Sequence, residues 1–377
     1  MRLQGREWTR RELMRRVGSL AQVGGITLLE HQEGHARGTR ALDVRTGTGL
    51  RFVIEPDRGF DVGFAEYQGT GLCWMPAKGL AGPWYYETDL DDHAWLRVGL
   101  GGLFNTAGLV SMGTPQTVPT EQYGFTQRLA ARYGTHDRIA LTPASTFAHG
   151  QDWQGDRCLL WAQGTVRQEI AYGEHLVLER RIETELGSDS FRVEDRVTNE
   201  GWFRTPHQLL YHWNLGFPLL GSGAEVIATT TGDPLDLSFS TDDGPGAGPS
   251  RWRTVTDPIE GFTHEGYIVP LRPDPEGWAS VALVNPAIRP DIGGLGVSLR
   301  YDATTLPVYV AWRMMREGLY AIGLEPSTTP FGATRDLVDQ GFPVYLEPGE
   351  SRRYRLELGI LPGRDAIDAW RATLPSD

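Results

Sequence analysis

From about residue 20 onward, apolar and polar residues alternate with a period of two, the mark of strands with one buried and one wet face. Leu176, Leu178, Ile182, Thr184 and Leu186 share one parity, and Glu179, Arg181, Glu183 and Glu185 take the other. Gly187-Ser188-Asp189 turns the chain. The next strand sets Phe191, Val193, Asp195, Val197 and Asn199 against Arg192, Glu194, Arg196 and Thr198. The pattern predicts a meander of antiparallel strands. Further on, Leu346-Glu347-Pro348-Gly349-Glu350 reads as a turn, and Tyr354, Leu356 and Leu358 alternate in a closing strand.

Two short helices interrupt this pattern. Thr9 caps a helix through Val17, with Leu13, Met14 and Val17 on one face and Arg10, Arg11, Arg15 and Arg16 in solvent. Arg364–Thr373 reads as a second helix packed on the outside. Residues 74–100, with Trp74, Trp84, Tyr85, Tyr86 and Trp95 among prolines and glycines, form a long aromatic loop. Residues 232–256 read as a mobile surface excursion. With no fixed-period repeat and no break in composition, the expectation is one all-β domain over residues 1–377.

Composition narrows the class. Gly 47 and Pro 24 suit many short strands, and 40% hydrophobic residues suit a sizeable core. A net charge of −12 argues against nucleic acid or an anionic membrane as partner. Cys73 and Cys158 fall in neither a disulfide framework nor a metal spacing, so both are expected reduced and structural. The N-terminal residues hold no apolar signal core and no run reaches membrane-span length, which points to the cytoplasm.

Chemistry concentrates in two places. On the strand Gln208–Asn214, parity puts His212 and Asn214 with Leu210 on one face, and His207, Tyr211 and Trp213 on the other. His207 is therefore expected to be structural. Glu325 follows the apolar run Tyr320-Ala321-Ile322-Gly323-Leu324, where a carboxylate is costly unless paired or working. A His acid and a Glu base on rigid strands are the minimum equipment for moving protons on a sugar. His136 and Arg138, two apart, would share a strand face and grip adjacent hydroxyls, or Arg138 would form an Arg–Asp pair at the surface. Asp57-Arg58-Gly59-Phe60-Asp61 reads as a turn held by Asp–Arg pairing, although Arg58 could also accept a phosphate or carboxylate from a ligand. Asn105, in Gly101-Gly102-Leu103-Phe104-Asn105, could hydrogen-bond a hydroxyl. The 12 Trp, 13 Tyr and 13 Phe supply rings that stack on sugars or fill a β core.

With these residues assembled, the chain resembles the galactose mutarotase-like (aldose 1-epimerase) superfamily. The likeness rests on Asp57-Arg58-Gly59-Phe60-Asp61, His136-Asp137-Arg138-Ile139, Asp195-Arg196-Val197-Thr198-Asn199, Tyr211-His212-Trp213-Asn214 and Gly323-Leu324-Glu325-Pro326, in that order. It implies a β-supersandwich of large antiparallel sheets that binds sugar in a groove. It also implies catalysis without cofactor or metal. Glu325 would take the anomeric proton while His212 protonates the ring oxygen, with His136, Arg138, Asn214 and Trp312 around the sugar. Two departures stand out. The position four before Asn214, where typical mutarotases carry the acid His, is Leu210, so the imidazole at 212 sits roughly 7 Å along the strand. Asp137 replaces the usual Gly between His136 and Arg138.

The expected function is interconversion of sugar anomers, an isomerase activity. The alternatives are a sugar isomerase, epimerase or lyase on the same scaffold, possible with metal assistance, and a sugar-binding protein without turnover. The expected partner is a small-molecule sugar, with a homodimer left open.

Overall fold

The computed structural model describes residues 1–86, 92–118, 131–171, 173–237 and 251–376. Two large antiparallel sheets dominate it. The alternating segments pair as the pattern predicts, with Leu178 opposite Val197 and Ile182 opposite Val193. One sheet of eight strands runs Ala144–Gln154, Arg157–Glu169, His175–Glu185, Ser190–Asn199, Ser351–Pro362, Leu295–Asp302, Trp278–Asn285, Glu225–Ile227. The other has eleven strands. Its centre runs Val308–Arg316, Leu319–Ser327, Gln208–Gly216, Phe104–Leu109, Asp61–Tyr67 and Leu50–Glu55.

The core lies between the sheets. Phe191 of the smaller sheet stacks on Phe52 of the larger, with ring centroids 4.3 Å apart, and Trp213 packs beside Phe104 at 4.6 Å. Burial of such rings is the main stabilising term. Within this layer sits a desolvated charge cluster. Arg180 donates from Nε to Asp195 Oδ1 at 2.8 Å and from Nη2 to Thr106 Oγ1 at 2.9 Å, and it pairs with Asp61. The Tyr211 hydroxyl donates to Asp195 at 2.6 Å. Every member is buried, and each charge has an opposite charge as partner, the condition for tolerating ions in a core.

Several sequence expectations need correction. The first helix runs only Arg10–Met14, capped by Thr9 with Glu12 reciprocating. Its last turn tightens when Arg16 N–H donates to Leu13 O, and Met14 is 44% exposed. The closing helix is Arg364–Arg371, and Ile367 packs on Ala282, Val284 and Leu361 outside the smaller sheet. The aromatic stretch contains a helix, Ala94–Val98. Part of the expected 232–256 excursion is core: Trp252 is buried and Arg251 pairs with Glu265, while residues 238–250 lie outside the described residues. Cys73 and Cys158 are free and buried. Among the described residues no helix is long and apolar enough to cross a membrane.

Candidate active site

Strand register builds the site. Leu210 faces Ser327 and Asn214 faces Gly323, so the same antiparallel register sets His212 directly across from Glu325. On the outer sides, His212 is opposite Asn105 and Glu325 is opposite Val310. Directly opposed residues share a face. One row therefore reads Val310, Glu325, His212, Asn105; the next reads Trp312, Gly323, Asn214. Their neighbours Tyr211, Trp213 and Phe104 point into the core, so this lattice covers the opposite face of the larger sheet. Had the imidazole stood at 210 it would oppose Ser327. Its placement at 212 is what aligns it with the carboxyl.

His212 Nε2 lies 3.1 Å from Glu325 Oε1. The contact is not aligned as a hydrogen bond, and Glu325 Oε1, His212 Nδ1 and Asn214 Oδ1 have no hydrogen-bond partner among the described residues. Such buried polar atoms on one face can serve as donors and acceptors for a polar ligand. Burial pushes the His212 imidazole down to about 3, with His136 adding to the effect, and pushes the Glu325 carboxyl well up. Desolvation therefore works against charge on both groups, disfavouring the imidazolium and the carboxylate alike.

Gly323 makes this arrangement possible. A Cβ there would stand 2.1 Å from Glu325 Oε1, so only glycine lets the carboxyl fold back along its own strand. Three further rings surround the pair. Trp312 lies 5.4 Å from the His212 ring, His136 lies 5.8 Å from it edge-on, and Trp95 reaches both imidazoles at 6.0 and 4.5 Å.

His136 and Arg138 do not lie on a strand. His136 and Asp137 both take left-handed backbone, φ +55° and +58°, and Arg138 leads into the turn Ile139–Leu141. Asp137 is turned inward, where its Oδ2 accepts from Val110 N–H at 3.0 Å and Gln168 Nε2 at 2.7 Å. Gly113 N–H donates to His136 Nδ1 at 3.3 Å, which leaves Nε2 as the protonated nitrogen. Desolvation pushes His136 down to about 4, although the residue keeps part of its surface exposed. Arg138 is at the rim, half exposed, above the Tyr86 ring at 6.0 Å.

His212, Glu325, Asn214, Trp312 and His136 thus come together. Asn105 is beside them, its Oδ1 accepting from Asn214 Nδ2 at 3.2 Å and from Gly101 N–H at 3.2 Å. Arg58 does not join them, and it does not pair with Asp57, which binds Arg40 instead. The Arg58 guanidinium is 1% exposed and donates to the carbonyls of Val98 at 3.0 Å and Gly99 at 2.8 Å, and to that of Ala81. It holds the end of the helix that carries Trp95. His207 is structural, bonded to Leu109 O at 2.9 Å and to the Tyr354 hydroxyl at 2.8 Å. Sequence reasoning missed Trp95 and Gly323 as site residues. Gly323 was legible, being two before Glu325 on the same face; nothing singled out Trp95 from its aromatic neighbours. Among the described residues no three His, Cys, Asp or Glu side chains converge as an ion site.

A family model described as a domain of unknown function (DUF4432) matches residues 36–360. No curated protein matches the chain. A solved structure from Klebsiella pneumoniae, provisionally named an aldose 1-epimerase, is 23% identical, with a TM-score of 0.80 over 93% of this chain and 86% of that one. A galactose mutarotase-like protein from Clostridium acetobutylicum is 14% identical, with a TM-score of 0.56 over 90% of this chain and 99% of that one. Galactose 1-epimerase from Lactobacillus acidophilus is 10% identical, with a TM-score of 0.57 over 90% of this chain and all of that one. At these identities the likeness shows the fold, the galactose mutarotase-like β-supersandwich.

Proposed function

Because the chain belongs to the DUF4432 family and has the galactose mutarotase-like fold, we propose that it interconverts sugar anomers as an aldose 1-epimerase. The observation that carries this reading is the 3.1 Å contact between His212 and Glu325 beside unpartnered polar atoms. The pair holds one exchangeable proton, which burial keeps on the carboxyl. A bound sugar supplies hydroxyls that solvate charge in place of water. The proton then crosses to His212 Nε2, giving a carboxylate base and an imidazolium acid without help from solvent.

From that state Glu325 takes the proton of the anomeric hydroxyl while His212 gives its proton to the ring oxygen. The bond from C1 to the ring oxygen breaks and an open-chain aldehyde forms. Rotation about C1–C2 presents the other carbonyl face, and the reverse transfers close the ring as the other anomer. His136, with Nε2–H available, and Asn214, with a free acceptor, would orient the hydroxyls. Trp312 and Trp95 would bracket the ring and keep water out.

The test is NMR of sugars in deuterated water with the purified protein. Accelerated anomer exchange without deuterium uptake at carbon is expected, and His212→Ala and Glu325→Gln should each abolish it in folded protein. Uptake at C2 would replace this reading by isomerisation. Full activity in both variants would overturn the assignment of the pair.

A further inference from the structure

Beside the reacting pair, the backbone fixes the polarity of two amides. Asn105 stands opposite His212 on the neighbouring strand, one spacing of about 4.8 Å away. A sugar ring in contact with His212 covers that distance. Gly101 N–H donates to Asn105 Oδ1 at 3.2 Å, a role only the oxygen end of the amide can fill. Gly101 keeps this place at φ +123°, with Pro76 so near that a Cβ would stand 2.3 Å from its Cδ.

Asn214 is oriented from two sides. Its Nδ2 donates to Asn105 Oδ1 at 3.2 Å and to His212 O at 3.1 Å. Both partners are acceptors, so donor and acceptor chemistry sets which way each amide points. With Oδ1 committed twice, Asn105 has its Nδ2 donor left for a ligand. Asn214 has the opposite end left, an Oδ1 acceptor that is buried and without a partner among the described residues. The two free ends belong to amides in direct contact, a separation that neighbouring hydroxyls of one ring span.

From this polarity we infer that Asn105 and Asn214 together grip two adjacent hydroxyls of the sugar, Asn105 donating to one and Asn214 accepting from the other. The site therefore takes sugars with a free vicinal pair, and an ether or ester at the donating position is refused. The inference rests on the anomerase reading for the sugar and adds the specificity of the same site. Its test follows anomer exchange by NMR, each sugar against its own uncatalysed rate, for an accelerated sugar and its deoxy and deoxyfluoro analogues. Fluorine accepts weakly and cannot donate. Two adjacent carbons are expected to matter. At one, deoxy and fluoro analogues lose about tenfold in kcat/KM alike, the usual worth of a hydrogen bond. At its neighbour, the fluoro analogue outperforms the deoxy one.

Asn105→Asp keeps an oxygen for Gly101 N–H and for Asn214 Nδ2, and turns only the ligand-facing end from donor to acceptor. It should raise KM about tenfold with kcat changed less. It should also shift preference toward the amino sugar whose ammonium replaces the accepting hydroxyl. Sensitive carbons that are not adjacent, or an Asn105→Asp enzyme identical to the parent with every sugar, overturn the inference. If that variant does not fold, the fluoro series on the unaltered protein decides. Absence of acceleration for every sugar overturns the anomerase reading alone when the same analogue pattern appears in dissociation constants from NMR titration, and overturns both when it does not.

Discussion

Gly323 shows how one atom decides the site. With 2.1 Å between its missing Cβ and Glu325 Oε1, Gly323→Ala forces the carboxyl off His212. We expect kcat to fall at least a hundredfold with the fold intact by circular dichroism, since misplacing a proton acceptor by about an ångström costs that much. The proton inventory sets the pH response. His212 gains a second proton only as pH falls toward about 3, so the pair keeps its base down to that range. The acid limb of kcat/KM should therefore lie well below 6.5, the ordinary imidazole value, with activity recorded against the uncatalysed rate at each pH. A limb centred near 6.5 would show that His212 is solvated in the working enzyme.

At the scale of elements, the loop bearing His136 is the least regular part of the site and the most dependent on a single anchor. Two consecutive left-handed non-glycine residues are costly, and the inward carboxylate of Asp137 holds them. Asp137→Ala strips the acceptor from Val110 N–H and Gln168 and leaves two buried donors. We expect a loss of about 2–4 kcal/mol by chemical denaturation and a raised KM, with Asp137→Asn losing less because it keeps an oxygen. The sequence could not show this. Alternating residue types at 136–138 imitate a strand, and positive φ leaves no trace in Asp or His. The same limit explains Arg58, whose partners are main-chain carbonyls from a distant helix end. By contrast, His212, Asn214 and Glu325 were legible, because parity on a strand fixes the face and apolar flanks make a lone carboxylate conspicuous.

At the scale of the molecule, the sheet pattern was legible from alternation, but the join between sheets was not. Arg180 falls on the buried parity among Leu178 and Ile182, where an arginine reads as an exception. It is instead the centre of the Asp61–Asp195–Tyr211 cluster. Arg180→Met leaves two carboxylates in the core without a counter-charge, and we expect a loss of roughly 3–5 kcal/mol in urea unfolding. Tyr211→Phe should lose only about 2 kcal/mol, one hydrogen bond to a charged acceptor.

That cluster has a mechanical side. Tyr211 and Thr106 are the immediate neighbours of His212 and Asn105, so the strands that bear the reacting groups are riveted to the sheet behind them. Sliding one sheet over the other would tear open a dry ion pair. Any give needed to admit a ligand must therefore come from the side chains lying over the sheet, Trp95 among them, while the floor stays put.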